Sequence, residues 1–294
     1  MAVEERRGTL HPAGPPVHTS LRGTAAITLD GIDERWGTTI EREGVSSARV
    51  ERAIRRATAE GGMAGLDERW LAFLREHIQV AAFIAQDCAR ILDRAADRCS
   101  WGPVARNIAL ESSMQTRQAQ AVVLYAIDLE RVVGDMPLER ARAQWRAAAT
   151  WQPARRMLET LAVRDDWAEI VVAINLCFEP LVAQLMRFEW GSRIAHELGD
   201  PVTPVVAEAT QIQQAWLRDW TGAIVRGAIA DPTHGAHNHA ELRRWIARWG
   251  AAAQEAARTA AAAAATLPGE RTADEALKRV LADHRDIVES LELG

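Results

Sequence analysis

The sequence has few cysteines, no strongly basic region and no recognisable export signal. The three cysteines, Cys88, Cys99 and Cys177, are an odd number at wide spacings. This pattern argues against a disulfide framework and a zinc knuckle, and it favours a reducing cytoplasm. We expect no membrane span, because no apolar run reaches the ~20 residues that one needs, and the N-terminus lacks the apolar core of a secretory signal. The net charge of −5 with mixed signs predicts no surface for nucleic acid.

Short motifs that identify a catalytic site are also missing. There is no glycine-rich phosphate loop, no nucleophile elbow and no dinucleotide-binding fingerprint. No stretch alternates between apolar and polar residues for long enough to predict a β-strand. The sequence therefore indicates a protein without strands and without a self-contained catalytic motif.

Alanine and tryptophan are the residues that the sequence has in excess. Six consecutive alanines occupy 260–265, and 11 tryptophans stand against one tyrosine and four phenylalanines. Abundant alanine and leucine favour helix. Tryptophan side chains offer large apolar surfaces that suit packed cores and protein interfaces. The composition therefore predicts an all-α protein.

Apolar residues recur at helical spacing over most of the chain beyond an N-terminal arm. Residues 1–45 show no sustained period, which predicts an arm that is either disordered or ordered only against a partner. Ser46 or Ser47 is expected to cap the first helix, and Asp165 or Asp166 the most apolar one. The predicted helices are 46–60, 66–98, 104–133, 138–149, 152–162, 166–198, 202–230, 237–266 and 272–292.

Four of these helices are long, and they form two antiparallel pairs joined by a connection of some thirty residues. That order is typical of a ferritin-like bundle with one long crossover. We therefore expect a single helical domain at 46–294. Its bundle core would lie at about 66–230, with the C-terminal helices at 237–292 packed against it.

A ferritin-like bundle raises the possibility of a di-iron site. Such sites take a Glu from each of two helices and a Glu-x-x-His from each of the other two, because two hard ions need bridging carboxylates and imidazoles. Glu-x-x-His does not occur in this chain. The nearest forms are Glu111-x-x-Met114 and Glu208-x-x-Gln211, in which a thioether and an amide replace imidazole. The other bundle helices carry Glu76, His77, Glu179 and Glu189. We predict no catalytic, cofactor or metal site on this chain.

The remaining histidines also favour structural roles. The three in the HGAHNH segment offer imidazoles without a carboxylate or thiol at a supporting distance, so a turn and helix start is the favoured interpretation over metal ligation. Asp231 and Asn238 would then act as caps. His196 lies one turn from a helix end, where the helix dipole favours it. The three histidines of the HGAHNH segment are His234, His237 and His239.

Several sequence blocks come in the order and spacing of one known family. They are NLCFEPLVAQLMRFEW (175–190), GDPVTP (199–204), WLRDWTGAIVRGAI (216–229) and HGAHNHAELRRWIARW (234–249). The chain resembles the β, or small hydroxylase, subunit of the soluble bacterial multicomponent monooxygenases, which oxidise methane, propane, alkenes, toluene or phenol. The likeness covers roughly 66–250, and its specificity lies in several blocks matching in sequence order.

The resemblance implies a division of labour between subunits. The catalytic α subunit would hold a di-iron centre with two Glu-x-x-His motifs. The β subunit looks like a relative of α that lost the metal ligands, and it packs against α in an α2β2 or α2β2γ2 hydroxylase. A separate NADH-dependent reductase with FAD and a 2Fe–2S cluster supplies electrons, and a small coupling protein controls turnover. The chain departs from the family in its short, aromatic-poor arm and its alanine-rich tail.

Two other interpretations remain open from the sequence alone. The chain could be a stand-alone helical scaffold or ligand-binding protein derived from the same bundle. It could also be a stand-alone metal oxidase with unusual ligands. The three interpretations differ in whether the chain binds metal and in whether it forms a complex with a large subunit.

Overall fold

The computed structural model describes residues 19–24, 27, 34–267 and 273–294, and these contain helices and connections but no strand. Residues 1–18 of the predicted arm and the predicted break at 268–269 lie outside the described residues. The helices are α1 Glu34–Ala59, α2 68–98, α3 Gly102–Val133, α4 Leu138–Ala147, α5 Gln152–Ala162, α6 Trp167–Glu197, α7 Thr203–Ala230, α8 Gly235–Ala261 and α9 Ala273–Ser290. The all-α prediction is confirmed.

Local sequence explains where several of these helices begin. The Asp166 carboxylate accepts hydrogen bonds from the backbone N–H groups of Ala168 and Glu169, at 3.0 and 3.1 Å, and so caps α6 as predicted. Pro103 lies in the first turn of α3, where a missing N–H costs nothing. Gly134 ends α3 with a φ of 67°, a conformation that favours glycine.

The first helix begins earlier than predicted. Helix α1 starts at Glu34 rather than at the expected caps Ser46 and Ser47, which lie inside it. Glycines at 37 and 44 weaken its helical signal in the sequence. Packing against α7 and α3 supplies the stabilisation that local propensity lacks. The predicted arm is therefore wrong for residues 34–45.

Helix α6 is the central element of the core. It packs against α2, α7, α8 and α9, and nearly every side chain in its first four turns is buried. By length and composition it could cross a membrane, with a mean hydropathy of 1.6 over its most apolar 18 residues. Glu169, Glu179, Arg187 and Glu189 interrupt its apolar residues, so no uninterrupted apolar run reaches ~20 residues. However, 94% of these 18 residues are buried inside the protein. A core helix covered on all sides meets the same criteria of length and composition.

Much of α6 is π-helical, which its sequence did not predict. Residues Ala173–Ala183 and Leu185–Ile194 follow the wider i→i+5 hydrogen-bond pattern, as does a shorter stretch of α2 at Leu74–Ile78. Pro180 lies inside the first of these stretches. It lacks the N–H that a regular helix would use at that position. The wider pattern changes which side chains share a face.

The tryptophans mostly serve this core. Nine of those with described side chains are buried, and Trp101 is half-buried. Trp190 packs edge-on against Trp151 and Phe73, with ring centroids 6.2 and 5.1 Å apart. Of the two uses expected for tryptophan, these nine side chains therefore serve the packed core rather than an interface, because they are already covered by their own chain.

A buried aspartate joins three helices at one end of the bundle. The Asp200 carboxylate accepts hydrogen bonds from Trp70 Nε1 at 2.9 Å, from the Tyr125 hydroxyl at 3.2 Å and from Thr203 Oγ1 at 2.6 Å. It also accepts from the backbone N–H groups of Val202 and Thr203, both at 2.8 Å. A charge in this position is stabilised only because all these donors surround it.

We predict that Asp200→Ala lowers the free energy of unfolding by ~3 kcal/mol or more, because it leaves several buried donors without an acceptor. Chemical denaturation followed by circular dichroism measures this loss. Asp97→Ala, at an exposed position of α2, is the matched control and should stay within ~0.5 kcal/mol of wild type. A loss below ~1 kcal/mol for Asp200→Ala would contradict the prediction.

Candidate functional site

The most unusual group of residues is a buried polar centre between α3, α6 and α7. Helix α3 contributes two residues one turn apart, α6 contributes three, and α7 contributes a threonine. All except Arg187, which is 10% exposed, are nearly or fully buried. The polar centre consists of Glu111, Gln115, Asn175, Glu179, Arg187 and Thr221.

One half of the polar centre joins Glu111 to Asn175. Asn175 Nδ2 donates to Glu111 Oε2 and to Thr221 Oγ1, in both cases at 3.0 Å. The second oxygens of the carboxyl and of the amide, Glu111 Oε1 and Asn175 Oδ1, are buried and have no hydrogen-bond partner. Both are acceptors, so each lacks a donor. A proton on Glu111 supplies such a donor.

The protonation of Glu111 follows from its surroundings. Burial raises the pKa of Glu111 to about 8, the hydrogen bond from Asn175 opposes that rise, and the charge of Glu179 adds to it. The neutral acid is therefore the favoured form at neutral pH. A carboxyl in this state is a poor ligand for a metal ion, which needs the deprotonated form.

The other half of the polar centre contains a buried ion pair. Arg187 Nη2 lies against Glu179 Oε2, and Gln115 Nε2 donates to Glu179 Oε1 at 2.8 Å. The charge of Glu179 is thus neutralised inside the protein. The nearby Cys88 is fully buried, and burial raises the pKa of its thiol well above the usual value. A thiol in this environment is unreactive.

The structure brings only part of the predicted set to this centre. Glu111 belongs to it, and Met114 is buried in the apolar core nearby. Glu208 lies on the surface with 53% of its side chain exposed, and it pairs with Arg49 of α1 at 2.7 Å. Gln211 is half-buried on α7. Glu111-x-x-Met114 and Glu208-x-x-Gln211 therefore do not face one common site.

The reason is the orientation of α7. Its buried face runs at helical spacing through a series that does not include position 208. In the turns beside the polar centre this face presents an amide and hydroxyls but no carboxylate or imidazole. The series is Ala207, Thr210, Gln214, Leu217, Thr221 and Val225.

The remaining acidic and histidine candidates lie elsewhere. Glu76 is half-buried, and the His77 ring packs 4.8 Å from the Phe73 ring. Burial lowers the pKa of His77. Glu189 forms an ion pair with Arg279 of α9 at 2.7 Å. His196 is exposed near the end of α6.

The HGAHNH segment forms a turn and a helix start. Asp231 accepts hydrogen bonds from the backbone N–H groups of Thr233 and His234, at 2.8 and 2.7 Å, as its predicted capping role requires. Asn238 has a different role from the predicted cap. Its side chain bonds both backbone groups of Arg22 and the carbonyl of Ala228, and so fixes residues 19–24 against α8.

The histidine rings of this segment contact backbone rather than each other. The Nε2 atom of His237 lies 2.9 Å from the Ser20 carbonyl oxygen, and that of His239 lies 2.7 Å from the Glu292 carbonyl oxygen. These contacts attach residues near the two ends of the described chain to α8. Within the ranges that the structure describes, no group of three or more His, Cys, Asp or Glu side chains is placed to hold a metal.

The polar centre does not fit a di-iron cluster. Such a cluster needs about four carboxylates and two imidazoles. Here two carboxyls are present, one favours its neutral form, and the other is paired with a guanidinium. The sequence candidates did not include Gln115, Asn175, Arg187 or Thr221. The i, i+4 spacing from Glu111 to Gln115 and from Asn175 to Glu179 is the signal that points to two of them.

Comparison with known proteins places this geometry in context. The model of a family described as Methane/Phenol/Alkene Hydroxylase matches residues 40–232. The small subunit of the propane 2-monooxygenase hydroxylase component of Mycolicibacterium goodii is 28% identical over 230 residues, which are 77% of this chain and 62% of that subunit. The hydroxylase β subunit of the toluene-4-monooxygenase system of Ectopseudomonas mendocina is 29% identical over 120 residues, 40% of this chain and 35% of that subunit. The chain thus matches less than two thirds of the length of these relatives.

Solved structures share the fold. A phenol hydroxylase chain from Pseudomonas sp. OX1 superposes with a TM-score of 0.81 and 18% identity, covering 94% of this chain and 81% of that one. A toluene 4-monooxygenase chain gives a TM-score of 0.71, also at 18% identity, covering 79% of this chain and 75% of that one. The helical bundle of hydroxylases is therefore the fold of this protein.

The raised pKa of Glu111 predicts a pH dependence of stability. Folding raises this pKa from its ordinary value to about 8, so the folded state holds the proton more tightly than the unfolded state. Its contribution is fully present below about pH 4.5 and is lost as the pH rises through about 8. Relative to Glu111→Gln, which cannot titrate, wild type should lose ~1.4 kcal/mol of stability per pH unit across this window.

Denaturation of both proteins between about pH 5 and pH 8 measures this difference. Glu130→Gln, at an exposed position of the same helix, is the control and should show no such trend. A difference between wild type and Glu111→Gln that stays constant with pH would show that Glu111 is already charged in the folded protein.

Proposed function

Because the chain belongs to the methane/phenol/alkene hydroxylase family, we propose that it is the non-catalytic β, or small, subunit of a multicomponent monooxygenase hydroxylase. The observation that carries this proposal is the polar centre. The bundle has the fold of the hydroxylases, but at its middle a guanidinium neutralises one of two carboxyls and the other favours its neutral form. The relatives with which it aligns are named small or β subunits.

The chemistry of the reaction supports a second subunit as the catalytic one. Insertion of one oxygen atom from O2 into a hydrocarbon requires redox chemistry that side chains alone do not supply. The α subunit would hold the di-iron centre that provides it. This chain would then contribute a bundle with a charge-balanced polar centre, against which α is held in an α2β2 or α2β2γ2 assembly.

The remaining components follow from the same assignment. A reductase with FAD and a 2Fe–2S cluster would deliver electrons from NADH, and a small coupling protein would bind the assembled hydroxylase. The three buried, unpaired cysteines suit a cytoplasmic location, where thiols stay reduced. The substrate would be a short alkane, an alkene or an aromatic, since relatives are named for propane, toluene, phenol and methane oxidation.

Co-expression with a large subunit that carries two Glu-x-x-His motifs tests the proposal. The two chains should co-purify as a stable complex, with iron bound in a ratio of about two per large subunit. A chain that stays monomeric in the presence of its large subunit would favour the stand-alone scaffold. Two irons bound to this chain when expressed alone would instead favour a metal oxidase.

We also predict that Glu111→Gln and Glu208→Gln leave the activity of the assembled hydroxylase within a few-fold of wild type. Neither side chain is expected to contact the reacting atoms, which lie in the α subunit. Substrate oxidation by the reconstituted system is the measurement, and substitution of an α-subunit Glu-x-x-His histidine is the inactive control. A loss of ~100-fold, equivalent to ~2.7 kcal/mol, with assembly intact would contradict the assignment.

A further inference from the structure

The polar centre contains two acidic side chains in a part of the protein that excludes water. Glu111 on α3 and Glu179 on α6 are 0% and 4% exposed, and the charge of Glu179 acts on Glu111. Two carboxylates in such surroundings repel each other and lose their hydration. A positive charge close by, or a proton, is therefore needed for the folded state.

Arg187 supplies that positive charge from within the chain. It lies eight residues after Glu179 on α6, and the two side chains form a buried ion pair. A buried guanidinium is costly unless it has such a partner. Each member of the pair thus requires the other, and Arg187 acts as the internal counter-ion of the centre.

The other groups of the centre are oxygen donors of the kind that bind hard cations. Asn175 and Thr221 contribute an amide oxygen and a hydroxyl, Glu179 contributes a carboxylate, and Glu111 contributes a carboxyl that releases its proton when a cation binds. Glu111 Oε1 and Asn175 Oδ1 are buried without a hydrogen-bond partner. They belong to side chains that are bonded to each other within the centre. Carboxylate and neutral oxygen atoms are the ligands that Mg²⁺, Ca²⁺ and Mn²⁺ prefer.

We propose that the guanidinium of Arg187 takes the place of a metal ion in this bundle. The centre is a cation site whose cation is part of the chain. Removing the guanidinium should leave the Glu179 carboxylate without its counter-ion, next to Glu111 and the neutral oxygens, and so convert the centre into a site for one hard divalent cation.

The test is Mn²⁺ binding by full-length Arg187→Met, because the substitution removes the charge and keeps an unbranched side chain. Electron paramagnetic resonance measures free Mn²⁺ during titration of the metal-free chain. We expect one Mn²⁺ per chain, bound at least ~10-fold more tightly than by wild type, a difference of ~1.4 kcal/mol. Excess Mg²⁺ should compete for the site.

Two matched variants identify the ligands. Arg193→Met removes a neighbouring arginine of α6, one that lies over the Phe188 ring at 4.6 Å and faces Glu189 rather than Glu179. It should bind Mn²⁺ no better than wild type. Arg187→Met combined with Glu179→Gln removes both charges of the ion pair and should lose the Mn²⁺ affinity that Arg187→Met gains.

The folding of Arg187→Met gives a second readout. If the variant is unfolded in metal-free buffer, Mn²⁺ should restore its helical circular dichroism. The proposal is overturned if the folded variant binds Mn²⁺ no more tightly than wild type, or if the unfolded variant is not restored by Mn²⁺. Equal affinity of the double variant and Arg187→Met would also overturn it, because Glu179 would then not be a ligand.

Discussion

The constraint on which the structure depends is the burial of charge along α6. Most of this helix is buried, yet it carries three buried glutamates, Glu169, Glu179 and Glu189. Trp249 of α8 donates to Glu169 at 2.9 Å, Gln115 of α3 donates to Glu179, and Arg279 of α9 pairs with Glu189. A carboxylate deep in a protein is tolerated only with such partners. The polar groups of α6 therefore determine which helix packs at each level of the core.

Helix positions followed from the sequence because they depend on local chemistry. The capping carboxylate of Asp166 and the first-turn Pro103 mark helix starts through contacts with neighbouring residues. Helix α1 was underestimated because its stability comes from packing against α7 and α3 rather than from its own sequence. The π-helical stretches of α6 were missed for a related reason. When every face of a helix is buried, an α-helix and a π-helix bury nearly the same apolar residues. The sequence pattern therefore does not distinguish the two.

The candidate site was only half predictable because motif searches look for ligands, not for their replacements. Glu111 was found as the remnant of a Glu-x-x-His pattern, whereas Glu208 matched the same pattern on the outer face of α7. Spacing within one helix does not fix which face is buried. Arg187 has no place in a metal-ligand motif, and its partner Glu179 lies two turns away. Its role depends on a charge balance between helices, which only the three-dimensional arrangement shows.

The charge balance of the polar centre also limits what this bundle can do. A metal cluster at this position would need deprotonated carboxylates and imidazoles, held together by the charge of the ions. In this chain Arg187 neutralises Glu179, and Glu111 favours its neutral form because of burial. The charges of the polar centre are therefore balanced by the chain's own groups. In the proposed β-subunit role, the bundle would pack against its partner with a polar centre whose charges its own side chains balance.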